Sequence, residues 1–229
     1  MRDVHIPIEP SILYFGTPVV LISTMNEDGS ANIAPMSSAF WLGWRCVLGL
    51  GASSKNAQNM IRTGECVLNL PSVEEVGAVN RLACLTGANP VPANKVKRGY
   101  RYEPKKFETA GLTPIPSDTV SPPRARECPV QMEAVVAARH GLGEDGPWKG
   151  ATSAFEVRIQ RVHVRPDLRM DGYANRIDPD KWRPLIMSFQ RFYGLAAEQV
   201  HPSLLSEMPE ELYRSPDVDR AKALAGINS

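Results

Sequence analysis

The residues Gly51-Ala52-Ser53-Ser54-Lys55-Asn56 carry the densest chemistry in the sequence, and they run into a short helical stretch, Ala57-Gln58-Asn59-Met60-Ile61-Arg62. The first amides of a helix have no intrahelical acceptor and sit at the positive end of its dipole. Two hydroxyls, an ammonium and those amides can therefore converge on one phosphate. The Gly-x-x-x-x-Gly-Lys spacing of a Walker loop is absent. An N-capped helix beside a solvated lysine is the other reading, and the spacing alone leaves both open.

The second candidate is Ala31-Asn32-Ile33-Ala34-Pro35-Met36-Ser37-Ser38-Ala39-Phe40. Small residues and a proline keep bulk away from the backbone, so a flat ligand can lie against Asn32, Ala34, Pro35, Met36, Ser37 and Ser38. Amides and hydroxyls there would address the polar edge of a heteroaromatic ring. An ordinary edge strand with a bulge accounts for the same residues, since Pro35 removes a ladder hydrogen bond.

Other chemistries find little support. His5, His140, His163 and His201 share no ligand spacing, so no metal site is expected. There is no G-x-S-x-G elbow and no G-x-G-x-x-G loop. No acid–base pair stands out, because Asp178-Pro179-Asp180 and Glu210-Glu211 read as cap and surface carboxylates. Lys95-Val96-Lys97-Arg98 reads as a solvated loop, with phosphate contact as its second reading.

These residues need elements to position them. Thr17 to Met25 is a β-branched run closed by Asn26-Glu27-Asp28-Gly29, a hairpin signal. Strands are also predicted at Cys46–Gly51, Glu65–Leu70, Cys128–Ala138 and Thr152–Val164. Gly64 is the natural stop of the short helix, and Val73 to Leu85 has helical spacing. Thr86 to Arg126 is rich in Pro, Gly, Lys and Arg with little periodicity, apart from a short helical turn near Lys105–Gly111. A stretch that long is uncommon inside a compact domain and is often functional. After Asp171 the segment Trp182–Tyr193 is helical or extended, and its aromatic residues suit a core, an interface or a cover over a pocket.

Many short strands with few helices predict a mainly β fold, a β-barrel with peripheral helices. The 229 residues include 20 prolines, about 9% against a usual ~5%, so much of the chain must turn or run irregularly. Twenty-six Lys and Arg balance 25 Asp and Glu, for a formal charge of +1. That balance gives no reason to expect nucleic acid or an anionic membrane as partner. The start, Met1 to Pro7, has no long apolar run of a signal peptide, and the most apolar stretch, 39–52, is broken by Arg45 and three glycines. Cys46, Cys66, Cys84 and Cys128 lie far apart, which suits a reduced, cytoplasmic setting.

The ordered set of pieces resembles the flavin reductase-like family, the FMN-binding split-barrel group that includes flavoredoxins. The resemblance rests on Thr17–Thr24, Asp28-Gly29, Asn32–Ser38, Ser53-Ser54-Lys55-Asn56-Ala57-Gln58-Asn59-Met60-Ile61 and Glu65–Leu70. Lys105-Lys106-Phe107, Gly111-Leu112 and Glu127–Glu133 are similar to the family's second block, and Tyr193-Gly194 to its C-terminal tyrosine. The likeness spans roughly residues 12–164. It implies a split β-barrel domain over 1–170, with 171–229 as an extension packing on the barrel or on a dimer partner.

The resemblance also implies a homodimer that binds FMN, in preference to FAD, near the subunit interface. Asn32 to Ser38 would line the isoalloxazine, and Ser53, Ser54, Lys55 and Asn56 would hold the phosphate. Many relatives carry Thr at the position of Asn56, whose amide can still donate. The implied activity is transfer of hydride or electrons from NAD(P)H through the flavin to a small-molecule acceptor or a partner redox protein. Such chemistry needs no particular acid–base residue, and none is assigned. The alternatives are a flavoredoxin-like carrier with little NAD(P)H turnover, and a split-barrel module binding haem or another planar ligand.

Overall fold

The computed structural model describes residues 5–226. The reading of the extreme N-terminus at residues 1–4 lies outside them. The run Thr17–Met25 forms two strands, β1 (Phe15–Pro18) and β2 (Val20–Met25). The break has a cause: the Val19 amide donates to the Leu185 carbonyl at 2.8 Å, so the chain leaves one sheet there and enters another. A hairpin at Asn26–Ser30 leads to β3 (Ala31–Met36), followed by β4 (Ala39–Leu42) and β5 (Arg45–Gly51). Helix α1 (Lys55–Thr63) is capped by Ser54, whose Oγ accepts the Ala57 amide, and ends at Gly64 in the left-handed region.

Next come β6 (Glu65–Leu70) and α2 (Val76–Leu82), the latter entered through a single 3-10 turn at Val73–Glu75. The helical spacing expected to Leu85 stops at Leu82, because Leu85 already belongs to β7 (Leu85–Thr86). The irregular region then holds α3 (Ala93–Val96), β8 (Arg101–Tyr102), α4 (Lys106–Ala110), β9 (Pro114–Ile115) and β10 (Arg124–Ala125). Two strands of 13 residues follow, β11 (Val130–Leu142) and β12 (Thr152–Val164). The tail is extended rather than helical at β13 (Ile186–Ser188) and β14 (Arg191–Tyr193), which add to β1. Helix α5 (Pro216–Leu224), unannounced by the sequence pattern, packs on β12, with Asp217 Oδ2 2.9 Å from Arg45 Nε.

The main sheet runs β3-β2-β6-β11-β12-β5-β4. Its outermost strands, β3 and β4, are consecutive in the chain and joined only by Ser37 and Ser38. Three virtual bonds of 3.8 Å cannot cross a flat seven-stranded sheet, so the sheet must curl until its edges meet. The result is a split barrel, mainly β with peripheral helices. Pro35 sits on the edge strand where its missing N–H is tolerated.

Both faces of β2 are buried. Val20 and Ile22 point into the barrel with Leu48, Leu68, Phe155 and Val157. Val19, Leu21 and Ile33 pack outward on Val79, Leu82, Phe107 and Leu185. This second cluster seats α2 and α4 against β3, and it fixes the position of the site. No helix among the described residues is long and apolar enough to cross a membrane.

Candidate functional site

The loop into α1, the outer part of β3, the end of α2 and residues 83–106 surround an open cleft of about 260 Å³. Eight residues singled out from sequence line it: Asn32, Ala34, Pro35, Met36, Ser53, Ser54, Lys55 and Asn56. Ser37 and Ser38 do not. They make the crossing between the barrel edges, where the Gly49 amide donates to the Ser38 carbonyl at 2.7 Å. A Cβ at Gly49 would lie 3.0 Å from the Ser38 Cβ, so the seam is packed on that residue. None of the tail's aromatic residues lines the cleft.

At the head of α1, Ser54 serves as the cap and Lys55 and Asn56 hold the first two helical positions, whose amides have no i−4 partner. The Asn56 side chain departs from its expected role. Its Oδ1 accepts from Asn32 Nδ2 at 2.6 Å and from the Thr24 hydroxyl at 3.0 Å, and its Nδ2 donates to the Ile22 carbonyl at 3.1 Å. The side-chain amide is thus committed to tying α1 to β2 and β3, and what Asn56 offers a ligand is its backbone N–H. Lys55 Nζ is 2.7 Å from Glu27 Oε2 at the rim. The hydrogen bond from Lys55 is the main reason the Glu27 carboxyl is held below its ordinary range.

The opposite wall was legible only through the second reading of Lys95-Val96-Lys97-Arg98 as a phosphate contact. It includes Cys84, Thr86, Gly87, Lys95, Arg98, Tyr100 and Lys106. Gly87 is a close approach: a Cβ there would stand 2.4 Å from Asn32 Oδ1 and 3.3 Å from Lys55 Cγ. Lys95 alone departs from the reading of its segment as a solvated loop; Arg98 lines the cleft but is exposed, as are Val96 and Lys97. Lys95 is half-buried, donates to Thr86 Oγ1 at 3.4 Å and lies 5.6 Å from the centre of the Tyr100 ring. Burial pushes its pKa down. Lys106 is 2% exposed. Burial, then the charge of Lys95, brings its pKa down to about 7. The available signal was the long irregular stretch rich in basic residues.

His163, unremarkable by spacing, joins Glu133 and Asp118, with Nε2 2.8 Å from Glu133 Oε1. Glu133 also accepts the Asp118 and Thr119 amides and the Thr119 hydroxyl, and Arg124 Nε lies 3.6 Å away. Carboxylate oxygens so occupied, beside a guanidinium, make an ionic lock on the 117–120 loop.

Four cations, Lys55, Lys95, Arg98 and Lys106, face one cleft, and among the described residues only Lys55 has a carboxylate partner. Hydroxyls and helix amides stand at the cleft's head, and the Gly87 backbone packs closely on Asn32 and Lys55. The donor set suits a planar ligand carrying a phosphate. A family model described as the flavin reductase like domain matches residues 12–196. Protein YdfE of Bacillus subtilis (strain 168), described as uncharacterized, is 40% identical over 192 residues, covering 83% of this chain and 89% of its own. Among solved structures, flavoredoxin of Desulfovibrio vulgaris (Miyazaki F) superposes with a TM-score of 0.69 at 20% identity, over 91% of this chain and all of that one. Nitrilotriacetate monooxygenase component B from Bacillus cereus gives 0.67 at 24% identity, over 88% of this chain and all of that one.

Proposed function

The chain belongs to the flavin reductase-like family, and on that premise we propose that the cleft binds FMN and that the protein passes electrons from NAD(P)H through it to a second acceptor. One observation carries the reading. The polar head of α1 and the small-residue strip of β3 open into the same cleft, held together by the Asn32–Asn56 hydrogen bond. Lys55, the Ser53 and Ser54 hydroxyls and the first amides of α1 hold the phosphate. Ala34, Pro35 and Met36 offer a flat wall to the ring, and the missing side chain of Gly87 lets its backbone pack directly on Asn32. The bound flavin supplies the redox chemistry, while the protein binds and orients it.

The solved neighbour named a flavoredoxin and the one named a monooxygenase component support a flavin-based redox role whose acceptor is a small molecule or another redox protein. The protein works as a homodimer. The cytoplasm suits its four free cysteines, three of them buried.

The test is a UV–visible spectrum of the purified protein, chemical identification of any released chromophore, and anaerobic addition of NADH and NADPH. A stoichiometric FMN spectrum bleached by one nicotinamide supports the whole reading. A stable FMN spectrum that neither nicotinamide bleaches restricts the protein to electron carriage. A colourless protein that fails to bind added FMN overturns it.

A further inference from the structure

From Ala138 to Leu142, β11 pairs with β12 alone, and a turn over 143–151 joins the two strands. That turn ends against the loop that leads into α1. Thr152 is the register partner of Gly51, and the Ala52 amide donates to the Ala151 carbonyl at 2.9 Å. The turn is held from within. The Ala151 amide donates to the Trp148 carbonyl at 2.8 Å and the Lys149 amide to the Gly146 carbonyl at 3.1 Å. The Gly150 amide donates to Glu144 Oε1 at 3.0 Å, and Glu144 folds back over Gly141, where a Cβ would stand 2.2 Å from that oxygen.

None of these bonds uses the Trp148 side chain, which is 69% exposed. Trp41, Trp44 and Trp182, by contrast, pack on the barrel core. An indole held out in water on an ordered turn forfeits the burial that such a side chain ordinarily contributes. Lys149 beside it has no carboxylate within ion-pair distance among the described residues. The ring stands at the rim, outside the residues that line the cleft. Residues 148 and 151 close a hydrogen-bonded turn, Ala151 is bonded to Ala52, and Ser53 follows. That path puts Trp148 at most about 16 Å from Ser53, Cα to Cα. A nucleoside carried on a second phosphate, met by the length of the indole, spans that gap.

We propose that Trp148 is a stacking platform for the adenine of a dinucleotide bound in the cleft. The inference deepens the flavin reading and rests on it. Adenine offers the indole a flat, uncharged face, and stacking of this kind is indifferent to the rest of the ligand. Lys149 supplies a cation to the phosphate that carries the nucleoside. Two ligands bring the same chemistry to this place. One is FAD, whose adenylate extends from the flavin phosphate, and the other is the nicotinamide dinucleotide that reduces the bound flavin. FMN has no adenine and serves as the control for the cleft itself.

The experiment uses the full chain as native protein, Trp148→Ala and Trp148→Phe, with calorimetry for each ligand. Flavin-stripped protein is titrated with FMN and FAD, and FMN-loaded protein with ADP. FMN should bind all three proteins within about twofold, since the exposed side chain holds neither the turn nor the cleft. A loss of about fivefold or more in FAD affinity for Trp148→Ala assigns the platform to the flavin's own adenylate. The same loss for ADP assigns it to the nicotinamide dinucleotide. In either case Trp148→Phe should stay within about threefold of native, because a phenyl ring still stacks. Trp148→Ala that binds both FAD and ADP as the native protein does overturns the platform and leaves the flavin reading standing. Native protein that takes FMN but neither FAD nor ADP does the same. Trp148→Ala that weakens FMN as much as FAD makes the indole a support of the phosphate loop, and also overturns the platform. Native protein that binds no flavin overturns both readings.

Discussion

Asn32 Nδ2 donates to Asn56 Oδ1 at 2.6 Å, which joins the edge strand of the barrel to the first turn of α1. The acceptor also takes the Thr24 hydroxyl, so one amide oxygen registers three elements. Replacing Asn56 with Ala leaves two buried donors without this acceptor and removes the side-chain donor to the Ile22 carbonyl. The expected loss is about 2–3 kcal/mol of folding stability, read from urea unfolding. FMN affinity should fall with it, because the helix head is no longer held against β3. A variant as stable as the native protein would show that the three elements are positioned without this amide.

Lys55 meets Glu27 at 2.7 Å, but the glutamate side is mostly exposed, so the pair adds little to stability. Lys55→Ala is expected to weaken FMN binding by roughly 1.5–3 kcal/mol through loss of a charge-assisted phosphate contact. Glu27→Gln should act in the opposite direction, tightening FMN binding, since Lys55 then has no carboxylate to leave. Its unfolding free energy should change by less than about 1 kcal/mol. Titration of FMN into both variants checks the pair of signs. An unchanged dissociation constant for Lys55→Ala removes that residue from the site.

The legible parts of the molecule are those whose cause is local. Ser54 and Gly64 bound α1 because a hydroxyl cap and a left-handed stop act within one turn, and Asp28-Gly29 turns β2 into β3 for the same reason. The barrel is readable from strand spacing, and eight of ten candidate residues reach one cleft. The illegible parts depend on contacts distant in sequence. Asn56 looks like a phosphate donor until Asn32 and Thr24, 24 and 32 positions away, are seen to occupy it. Ser38 looks like ligand lining until the barrel edges close on it. Lys106 reads as one of several basic residues, and only the packing of α4 on α2 and β3 turns it inward.

Gly87 tests the shape of the cleft rather than its charge. A Cβ there would sit 2.4 Å from Asn32 Oδ1, far inside van der Waals contact. The Asn32 side chain is pinned by Asn56, so it cannot yield without breaking that bond. Gly87→Ala should therefore lower stability by about 1–3 kcal/mol and weaken FMN binding, with Lys55 displaced from its Cγ side as well. The double variant Gly87→Ala/Asn32→Ala removes the clash and should recover part of the lost stability. A double variant that simply sums the two single losses would show that the two residues do not meet.

Glu133 sets the acid limit of the fold. Burial pushes its pKa up, but hydrogen bonds from His163, the Thr119 hydroxyl and the Asp118 and Thr119 amides outweigh burial and hold it at about 2. A carboxyl depressed from 4.5 contributes stability that is present above the higher value and is lost as pH falls through the interval. Native protein should therefore lose stability between about pH 4.5 and 2 in excess of Glu133→Gln. The variant should start about 2–3 kcal/mol lower at neutral pH, measured by urea unfolding at each pH. Parallel profiles would mean that the lock on the 117–120 loop does not depend on the charge.

Lys106 makes the reverse prediction at the other end of the scale. Its ammonium is favoured in the unfolded chain up to pH 10.5 and in the folded chain only to about 7. The unfolded state binds the extra proton throughout that window, so stability of the flavin-stripped protein should rise with pH from 7 towards 10. Lys106→Met removes the penalty and keeps the length of the side chain. It should raise the melting temperature at pH 7, each kcal/mol being worth about 2–4 °C at this size, and it should flatten the rise with pH. A variant less stable than the native protein at pH 7 without flavin would show that the buried ammonium is already satisfied within the fold.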